Sequence, residues 1–303
     1  MAIKSVQAIV NGVSVNLTYN SNTQKYEGTL TAPSKSSHSQ SGGYYPVIIK
    51  ATDVAGNVTT KDANDSTLGN LLRLVVKEKV APVIAISSPS DSSLITNNKP
   101  VITWTVTDND SGVNPDSIGI TIDSGSKITG SDIVKTAITG GYRCTYTPGT
   151  ALNDGGHTIK IDAKDNDGNT AVQKSVTFKI DTVPPVLSVA SPVNALVTNA
   201  ASVTLTGTTN DVTSSPVRVT VKLNNGTAQD IEVSANGSFS KMLSLVDGTN
   251  TIVITATDSA GKQTSITRTV TVDRKAPVIN SVTITPNPVD AGKTLVIAVS
   301  VTD

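Results

Sequence analysis

The sequence predicts an all-β protein built from several thin β-sandwiches. Three observations predict this fold class: a composition suited to strands, a strand–turn–strand phrase that occurs three times, and proline-marked junctions between the repeats. Of the 303 residues, 37% are hydrophobic and only 3% are aromatic. Thin sandwiches suit this composition, because each strand buries one face and Val, Ile, Leu and Ala can fill the core. At roughly 100–150 residues per domain, the length allows two or three domains.

The recurring phrase is typical of a β-hairpin. Its three copies are Ala-Thr-Asp-Val-Ala-Gly-Asn at 51–57, Ala-Lys-Asp-Asn-Asp-Gly-Asn at 163–169 and Ala-Thr-Asp-Ser-Ala-Gly-Lys at 256–262. An alternating run precedes each copy, which places its apolar residues on one face of a strand. Glycine then supplies a positive φ, and aspartate can bond its own loop. A second alternating strand follows, most plainly at 172–180 and 265–272.

Proline–valine pairs mark the junctions between repeats. Proline restricts itself and its predecessor to extended backbone, so the sequence predicts short, stiff linkers and an extended array of domains. The pairs lie at 82–83, 185–186 and 277–278. Boundaries at these pairs give segments 1–81, 82–184, 185–276 and 277–303.

The first and last segments are expected to be complementary parts of one sandwich. Segment 1–81 opens at Val6-Gln-Ala-Ile-Val, which matches the third strand of the other repeats, so it lacks the first two strands. Segment 277–303 reads as two opening strands, around 282–286 and 294–301. Two interpretations stay open. Either these strands are donated to segment 1–81 of another chain, or the missing strands lie in a part of the protein beyond this sequence.

The phrase Ala-Thr-Asp-x-Ala-Gly-Asn, a strand ending in Val-Asp, and then Ala-Pro-Val-Ile together resemble the tandem bacterial immunoglobulin-like (Ig-like) domains. Such domains occur in bacterial surface proteins and in phage tail and virion proteins. The resemblance covers nearly the whole chain and implies tandem Ig-like β-sandwiches. It says little about function, because this fold serves many roles. The family usually lacks the antibody disulfide, and Cys144, the single cysteine, can form none within the chain.

Charge and hydropathy exclude several classes of partner. The 24 basic and 24 acidic residues balance, and no basic cluster is present. We therefore expect no nucleic-acid partner and no anchoring on an anionic membrane. The N-terminus shows no apolar run of signal-peptide length, and no stretch approaches a transmembrane helix, so we also expect no membrane insertion.

No motif of a known catalytic class is present, and the sequence predicts a non-enzyme. Cys144 lies on an alternating strand and is expected to be a small core residue, and Trp104 to fill the core of the second domain. His157 takes the repeat position of Tyr45 and Asn250, where a polar tip bonds nearby backbone. His38 lies in a Ser/Gly-rich loop. That loop, residues 34–43, and the insertion 61–72 are candidate ligand-binding loops.

A calcium site is the alternative interpretation of the second turn. Asp165, Asp167 and Asn169 offer hard oxygen ligands at alternating positions. The glycine and glutamate positions of an EF-hand do not fit, so a hairpin turn is the favoured interpretation. Residues 108–112 form a second acidic loop, and a site pooled between the second and third domains is a further alternative. No other cofactor is expected.

The sequence predicts a non-enzymatic structural or binding component of a phage tail or another virion part. It would be made in the host cytoplasm and reside in the virion tail. Its partners would be other copies of itself or other virion structural proteins, with a host surface glycan or protein as a further candidate. The alternative is a fragment of a bacterial cell-surface adhesin or stalk. A third class is an accessory module that flanks a catalytic domain.

Overall fold

The computed structural model describes residues 2–303, so only Met1 of the predicted segment 1–81 lies outside it. Within these residues, regular structure is almost entirely β-strand, which confirms the all-β class. The chain forms two compact units, one ending at Ile180 and the other beginning at Asp181. The few helical segments are single 3₁₀ turns at Ser41–Gly43, Gly69–Leu72 and Gly130–Asp132. No helix within residues 2–303 is long and apolar enough to cross a membrane.

Unit 1 begins with one antiparallel sheet, here called the head sheet. Its strands are β1 (Ile3–Val10), β2 (Val13–Asn20), β3 (Lys25–Glu27), β4 (Tyr45–Asp53), β5 (Val58–Lys61) and β6 (Arg73–Leu74). Their order is β3-β2-β1-β4-β5, and β6 pairs with β4 beyond β5. The insertion 61–72 separates β5 from β6. It is closed by Asp65, whose Oδ1 accepts from the N–H groups of Thr67 and Leu68.

The rest of unit 1 is a complete two-sheet sandwich, the central sandwich. Its strands are β7 (Val83–Ser88), β8 (Ser93–Ile95), β9 (Ile102–Thr107), β10 (Val113–Ile122), β11 (Val134–Ile138), β12 (Gly141–Tyr146), β13 (Gly155–Asp165) and β14 (Lys174–Ile180). One sheet has the order β11-β12-β9-β7 and the other β10-β13-β14-β8. Alternate residues of β9, namely Ile102, Trp104 and Val106, are fully buried between the sheets.

Unit 2 contains a second complete sandwich, the third-domain sandwich. Its strands are β15 (Val186–Ser191), β16 (Leu196–Thr198), β17 (Ser202–Asn210), β18 (Arg218–Leu223), β19 (Gln229–Ile231), β20 (Ser238–Ser244), β21 (Gly248–Thr257) and β22 (Gln263–Val272). The sheets are β15-β17-β20 and β16-β22-β21-β18-β19. Ile252, Ile254 and Ala256 of β21 are fully buried, as their alternation predicts.

Unit 2 ends in a two-stranded antiparallel hairpin, here called the tail hairpin. It consists of β23 (Val278–Thr285) and β24 (Val296–Thr302). Every residue of both strands is exposed. A two-stranded hairpin buries too little surface to be stable by itself. The apolar face of the tail hairpin is uncovered and can receive a partner.

The strands that were not predicted from the sequence include two short ones at equivalent positions. β8 and β16 each pair in parallel with the last strand of their own sandwich, β14 and β22. Each contains three residues, too few to show a period of two. They move the chain from one sheet to the other before β9 and β17 begin, and so close one edge of each sandwich.

Candidate metal centres

The three copies of the recurring phrase form hairpin turns, as predicted. In the second copy, Asp165 accepts hydrogen bonds from the backbone N–H of Asn169 at 2.7 Å and from its Nδ2 at 2.6 Å. Gly168 takes a φ of +96°. Asp53 accepts from Asn57 in the same two ways, and Asp258 accepts from the N–H of Lys262 at 2.9 Å. The aspartate therefore closes its own turn in every copy.

In unit 1, this turn brings Asp165 to two other carboxylates. One oxygen each of Glu78, Asp108 and Asp165 lies within 4.8 Å of the other two. We call this group the first carboxylate cluster. Asp108 follows β9, and its Oδ1 accepts from the N–H groups of Asp110 at 3.0 Å and Gly112 at 2.8 Å. Glu78 lies before β7, and its Oε1 accepts from the N–H of Ser111 at 2.6 Å.

The other two predicted calcium candidates hold the chain segment that carries Glu78. Asp167 Oδ2 accepts from the backbone N–H of Glu78 at 2.9 Å, and Asn169 Nδ2 donates to the Glu78 carbonyl oxygen at 3.2 Å. The structure thus places Asp165 in the cluster, with Asp167 and Asn169 beside it as positioning groups. The predicted acidic loop 108–112 supplies Asp108, but the third carboxylate precedes the central sandwich. The predicted site pooled between the second and third domains stays a prediction.

Unit 2 contains a second carboxylate cluster of the same kind. One oxygen each of Asp181, Asp211 and Asp258 lies within 4.8 Å of the other two. The three residues are only 0%, 8% and 6% exposed. Asp211 Oδ1 accepts from the N–H groups of Thr213 and Ser214, at 2.8 and 2.7 Å, and the Ser214 hydroxyl donates to Asp181 Oδ2.

The two clusters occupy equivalent positions in the two sandwiches. Glu78 precedes Pro82 by four positions, as Asp181 precedes Pro185. The other members follow the equivalent strands β9 and β17 (Asp108, Asp211) or stand in the recurring turn (Asp165, Asp258). The repeat therefore places three carboxylates, from segments far apart in sequence, at the same end of each sandwich.

Neither cluster has a compensating cation from the protein. Among the ion pairs within residues 2–303, none includes a member of either cluster. Asp258 Oδ2 is buried without a hydrogen-bond partner, and so is the Oγ of Ser111, whose N–H holds Glu78. Buried charges are normally paired or bound to a metal, because a carboxylate loses its hydration and gains repulsion from its neighbours.

Comparison with known proteins identifies the repeated unit. Residues 80–182 match the family model of a bacterial Ig-like domain, and residues 185–274 match that of glucodextranase domain B.

The chain carries tandem Ig-like domains, and the central one matches the bacterial Ig-like domain family.

Bacillopeptidase F of Bacillus subtilis (strain 168) is 29% identical over 216 residues, which are 71% of this chain and 14% of that protein. The chain thus spans only a small part of this curated relative. An I-band fragment of titin is 14% identical, with 89% of this chain and 88% of that one covered and a TM-score of 0.46. The fibronectin(III)-like modules of Clostridium thermocellum CbhA are 16% identical, with 63% and 94% covered and a TM-score of 0.33.

Neither histidine is a member of a carboxylate cluster. His157 Nε2 contacts the carbonyl oxygen of Asn153 at 2.7 Å, as predicted for this repeat position, and Nδ1 contacts Asp123 Oδ2 at 2.9 Å. Burial lowers the pKa of His157, but these two contacts outweigh it and raise the pKa above its ordinary value. His38 lies in the loop 34–43, where its N–H donates to Ser36 Oγ.

Cys144 and Trp104 are core residues of the central Ig-like sandwich, as predicted. Both are fully buried and pair across β12 and β9. Burial raises the pKa of the Cys144 thiol to about 11. Since the thiolate is the nucleophile, this environment disfavours nucleophilic chemistry.

Of the six carboxylates in the two clusters, only Asp165 was predicted from the sequence as a metal ligand. Asp108 was noticed only within its acidic loop and Asp258 only within the recurring phrase, whereas Glu78, Asp181 and Asp211 were not singled out. The available signal was an acidic residue four positions before the junction proline, at both Glu78 and Asp181.

Proposed function

We propose that the chain is a non-enzymatic structural and binding module whose Ig-like domains associate through the tail hairpin. Domains of this fold typically act as spacers and binding units. The single observation that carries the proposal is that the tail hairpin exposes the residues that its counterparts in the other domains bury.

The comparison is direct at equivalent positions. Ile279 follows Pro277-Val278 as Ile84 follows Pro82-Val83, and the two are 65% and 3% exposed. Val299 stands where Trp104 stands before the Val-Thr-Asp ending, and the two are 50% and 0% exposed. The apolar face of the tail hairpin therefore matches the inner face of a sandwich sheet, without a facing sheet among the described residues of unit 2.

The occupant that fits this face is the head sheet of a second copy. In the head sheet, β1, β4 and β5 pair in the same order as β10, β13 and β14 of the central sandwich, and no described strand precedes β1 as β7 and β9 precede β10. Its Val47, Ile49 and Ala51 remain half-buried, whereas the equivalent residues of β13 and β21 are buried. The head sheet thus lacks two apolar strands, and the tail hairpin consists of two such strands. Strand donation between copies is an established way to complete such a sheet.

Light scattering after size exclusion tests this association in the full chain. Val299→Asp places a charge on the apolar face of β24, and Ser300→Asp places the same charge on the opposite face. We expect the unmodified chain and Ser300→Asp to form dimers or larger species whose mass rises with concentration, and Val299→Asp to remain at 31.2 kDa. A 31.2 kDa monomer for the unmodified chain at every concentration would overturn the proposal, as would association of Val299→Asp.

A bacterial cell surface is the proposed location. The match to a bacterial Ig-like domain and the similarity to a Bacillus subtilis protein support it. A role in a phage tail or another virion part rests on the resemblance of the repeats alone and stays a prediction. Antibodies against this chain separate the two: surface labelling of intact producing cells supports the first location, and labelling of purified particles supports the second.

A further inference from the structure

We propose that each carboxylate cluster is a Ca²⁺ site at the entrance to its Ig-like sandwich. This inference is independent of the association through the tail hairpin, because all six ligands lie in the two complete sandwiches and the segments that lead into them. It concerns how the connecting segments are held.

Charge and burial support the proposal most strongly in the second cluster. Asp181, Asp211 and Asp258 are all at least nine-tenths buried, and their carboxylate oxygens lie within 4.8 Å of each other. Asp258 Oδ2 has no hydrogen-bond partner. Three like charges at this separation repel one another strongly where water is excluded, and a bound cation removes that cost.

The donor set selects the kind of cation. The clusters offer carboxylate oxygens, with no thiolate or imidazole among their members. Oxygen-only sites suit hard cations, and thiolate or imidazole sites suit zinc and copper. Ca²⁺ accepts 6–8 oxygens in a flexible arrangement, with bidentate carboxylates and water, whereas Mg²⁺ requires a near-ideal octahedron. Irregularly placed carboxylates from three loops therefore favour Ca²⁺.

The loops are already shaped for this role. The Oδ1 atoms of Asp211 and Asp258 accept hydrogen bonds from backbone N–H groups of their own loops. Each carboxylate is therefore oriented before any ion binds. Asp108 is held in the same way by Gly112. Pre-oriented ligands raise affinity, because less freedom is lost on binding. Recurrence of the arrangement in two sandwiches shows that it belongs to the repeat.

The consequence is mechanical. In each site, one ligand lies on the segment that leads into the sandwich, and the other two lie on loops at its end. A bound Ca²⁺ therefore ties the entering segment, through Glu78 or Asp181, to the body of the sandwich. Without the ion, the same carboxylates repel one another, and the hydrogen bond that the Ser214 hydroxyl donates to Asp181 Oδ2 still joins the segment to the sandwich.

Calorimetric titration of the chelator-treated full chain with CaCl₂ is the first test. At concentrations where the chain is monomeric, we expect two ions per chain, with dissociation constants on the order of 10⁻⁵ to 10⁻³ M, and weaker binding of Mg²⁺. Asp258→Asn and Asp165→Asn should each reduce the stoichiometry to one. The exposed Asp116→Asn and Asp247→Asn are matched controls that leave it at two. If no binding is detected at Ca²⁺ concentrations up to about 10-fold above this range of dissociation constants, the proposal is overturned.

A reversal of sign in thermal unfolding separates a metal site from a merely structural carboxylate. With chelator, Asp258→Asn should raise the unfolding temperature of unit 2, because one of three repelling charges is removed. With Ca²⁺ at about 100 times its dissociation constant, the unmodified chain should gain roughly 10 °C or more, and the variant far less. Equal unfolding temperatures of the unmodified chain with chelator and with Ca²⁺ would contradict the proposal. A variant that is less stable in both conditions would show that Asp258 acts only within its turn.

Discussion

At the scale of single residues, the aspartate of the recurring phrase combines two roles. Its Oδ1 closes the turn by accepting the N–H four residues later, at 2.8 Å in Asp53 and 2.7 Å in Asp165. In the complete sandwiches, the same carboxylate also enters a cluster. The turn role could be predicted from the sequence, since it needs only local spacing. The cluster could not, because its partners converge only after the strands have paired.

Cys144 is expected to be unreactive in the folded chain. It is fully buried against β9, and its pKa is raised to about 11, so little thiolate exists near neutral pH and reagents cannot reach it. A colourimetric disulfide reagent at about pH 8 should react at least 100-fold more slowly with the native chain than with the chain in guanidinium chloride. Rapid, stoichiometric labelling of the native chain would show that β12 is not packed as described.

His157 should make the stability of the central sandwich depend on pH. Its pKa is raised in the folded state by Asn153 and Asp123, so the protonated form is favoured there. That stabilisation is fully present below the ordinary pKa of about 6.5 and is lost as the pH rises through the folded value. The unfolding temperature should therefore fall between about pH 6 and 8 more steeply than in His157→Asn, which carries the residue of the equivalent position, Asn250. Identical pH profiles for the two chains would contradict this assignment.

At the scale of elements, the alternation of apolar residues predicts the strands. It does not predict which strands pack against each other. The apolar face of β13 was evident from His157, Ile159 and Ile161. The pairing of β12 with β9 was not, because nothing local specifies which distant strand lies beside Cys144. The same holds for Glu78, which in the sequence is one charge among several near a junction. Tertiary pairing supplied the information that spacing lacked.

Close packing between β12 and β9 leaves no room for a side chain at Gly141. A Cβ on Gly141 would lie 2.0 Å from the carbonyl oxygen of Val106, whereas a Cβ on Gly156 of β13 would meet nothing within 4 Å. Gly141→Ala should lower the free energy of unfolding by about 1–3 kcal/mol. Gly156→Ala is the matched control and should change it by no more than about 0.5 kcal/mol. Urea denaturation measures both, and equal midpoints would refute the close approach of these strands.

At the scale of the whole molecule, the pattern of the carboxylates suggests a third site that needs two copies. Asp273 precedes Pro277 by four positions and Asp303 follows β24, as Glu78 and Asp108 stand relative to their own domain. Asp273 and Asp303 line one depression in unit 2. The matching turn aspartate is Asp53, in the head sheet. Donation of the tail hairpin to a second copy would therefore unite these three carboxylates.

Association is accordingly expected to be tighter with Ca²⁺ than with chelator. Sedimentation measures the dissociation constant in both conditions, and we expect Ca²⁺ to lower it about 10-fold or more. Asp53→Asn should remove most of this difference, and the exposed Asp116→Asn should retain it. Equal constants in both conditions for the unmodified chain would contradict the third site without affecting the two sites within one chain.

The most direct test of donation between copies mixes a chain with a blocked donor and a chain with a blocked acceptor. Val299→Asp disables the tail hairpin, and Ile49→Asp disables the apolar face of the head sheet. Each variant alone should have the monomer mass of 31.2 kDa by light scattering. An equimolar mixture should give a discrete species of twice 31.2 kDa, because one intact donor and one intact acceptor remain. A mixture that stays at the monomer mass, while the unmodified chain associates, would contradict the pairing of hairpin with head sheet.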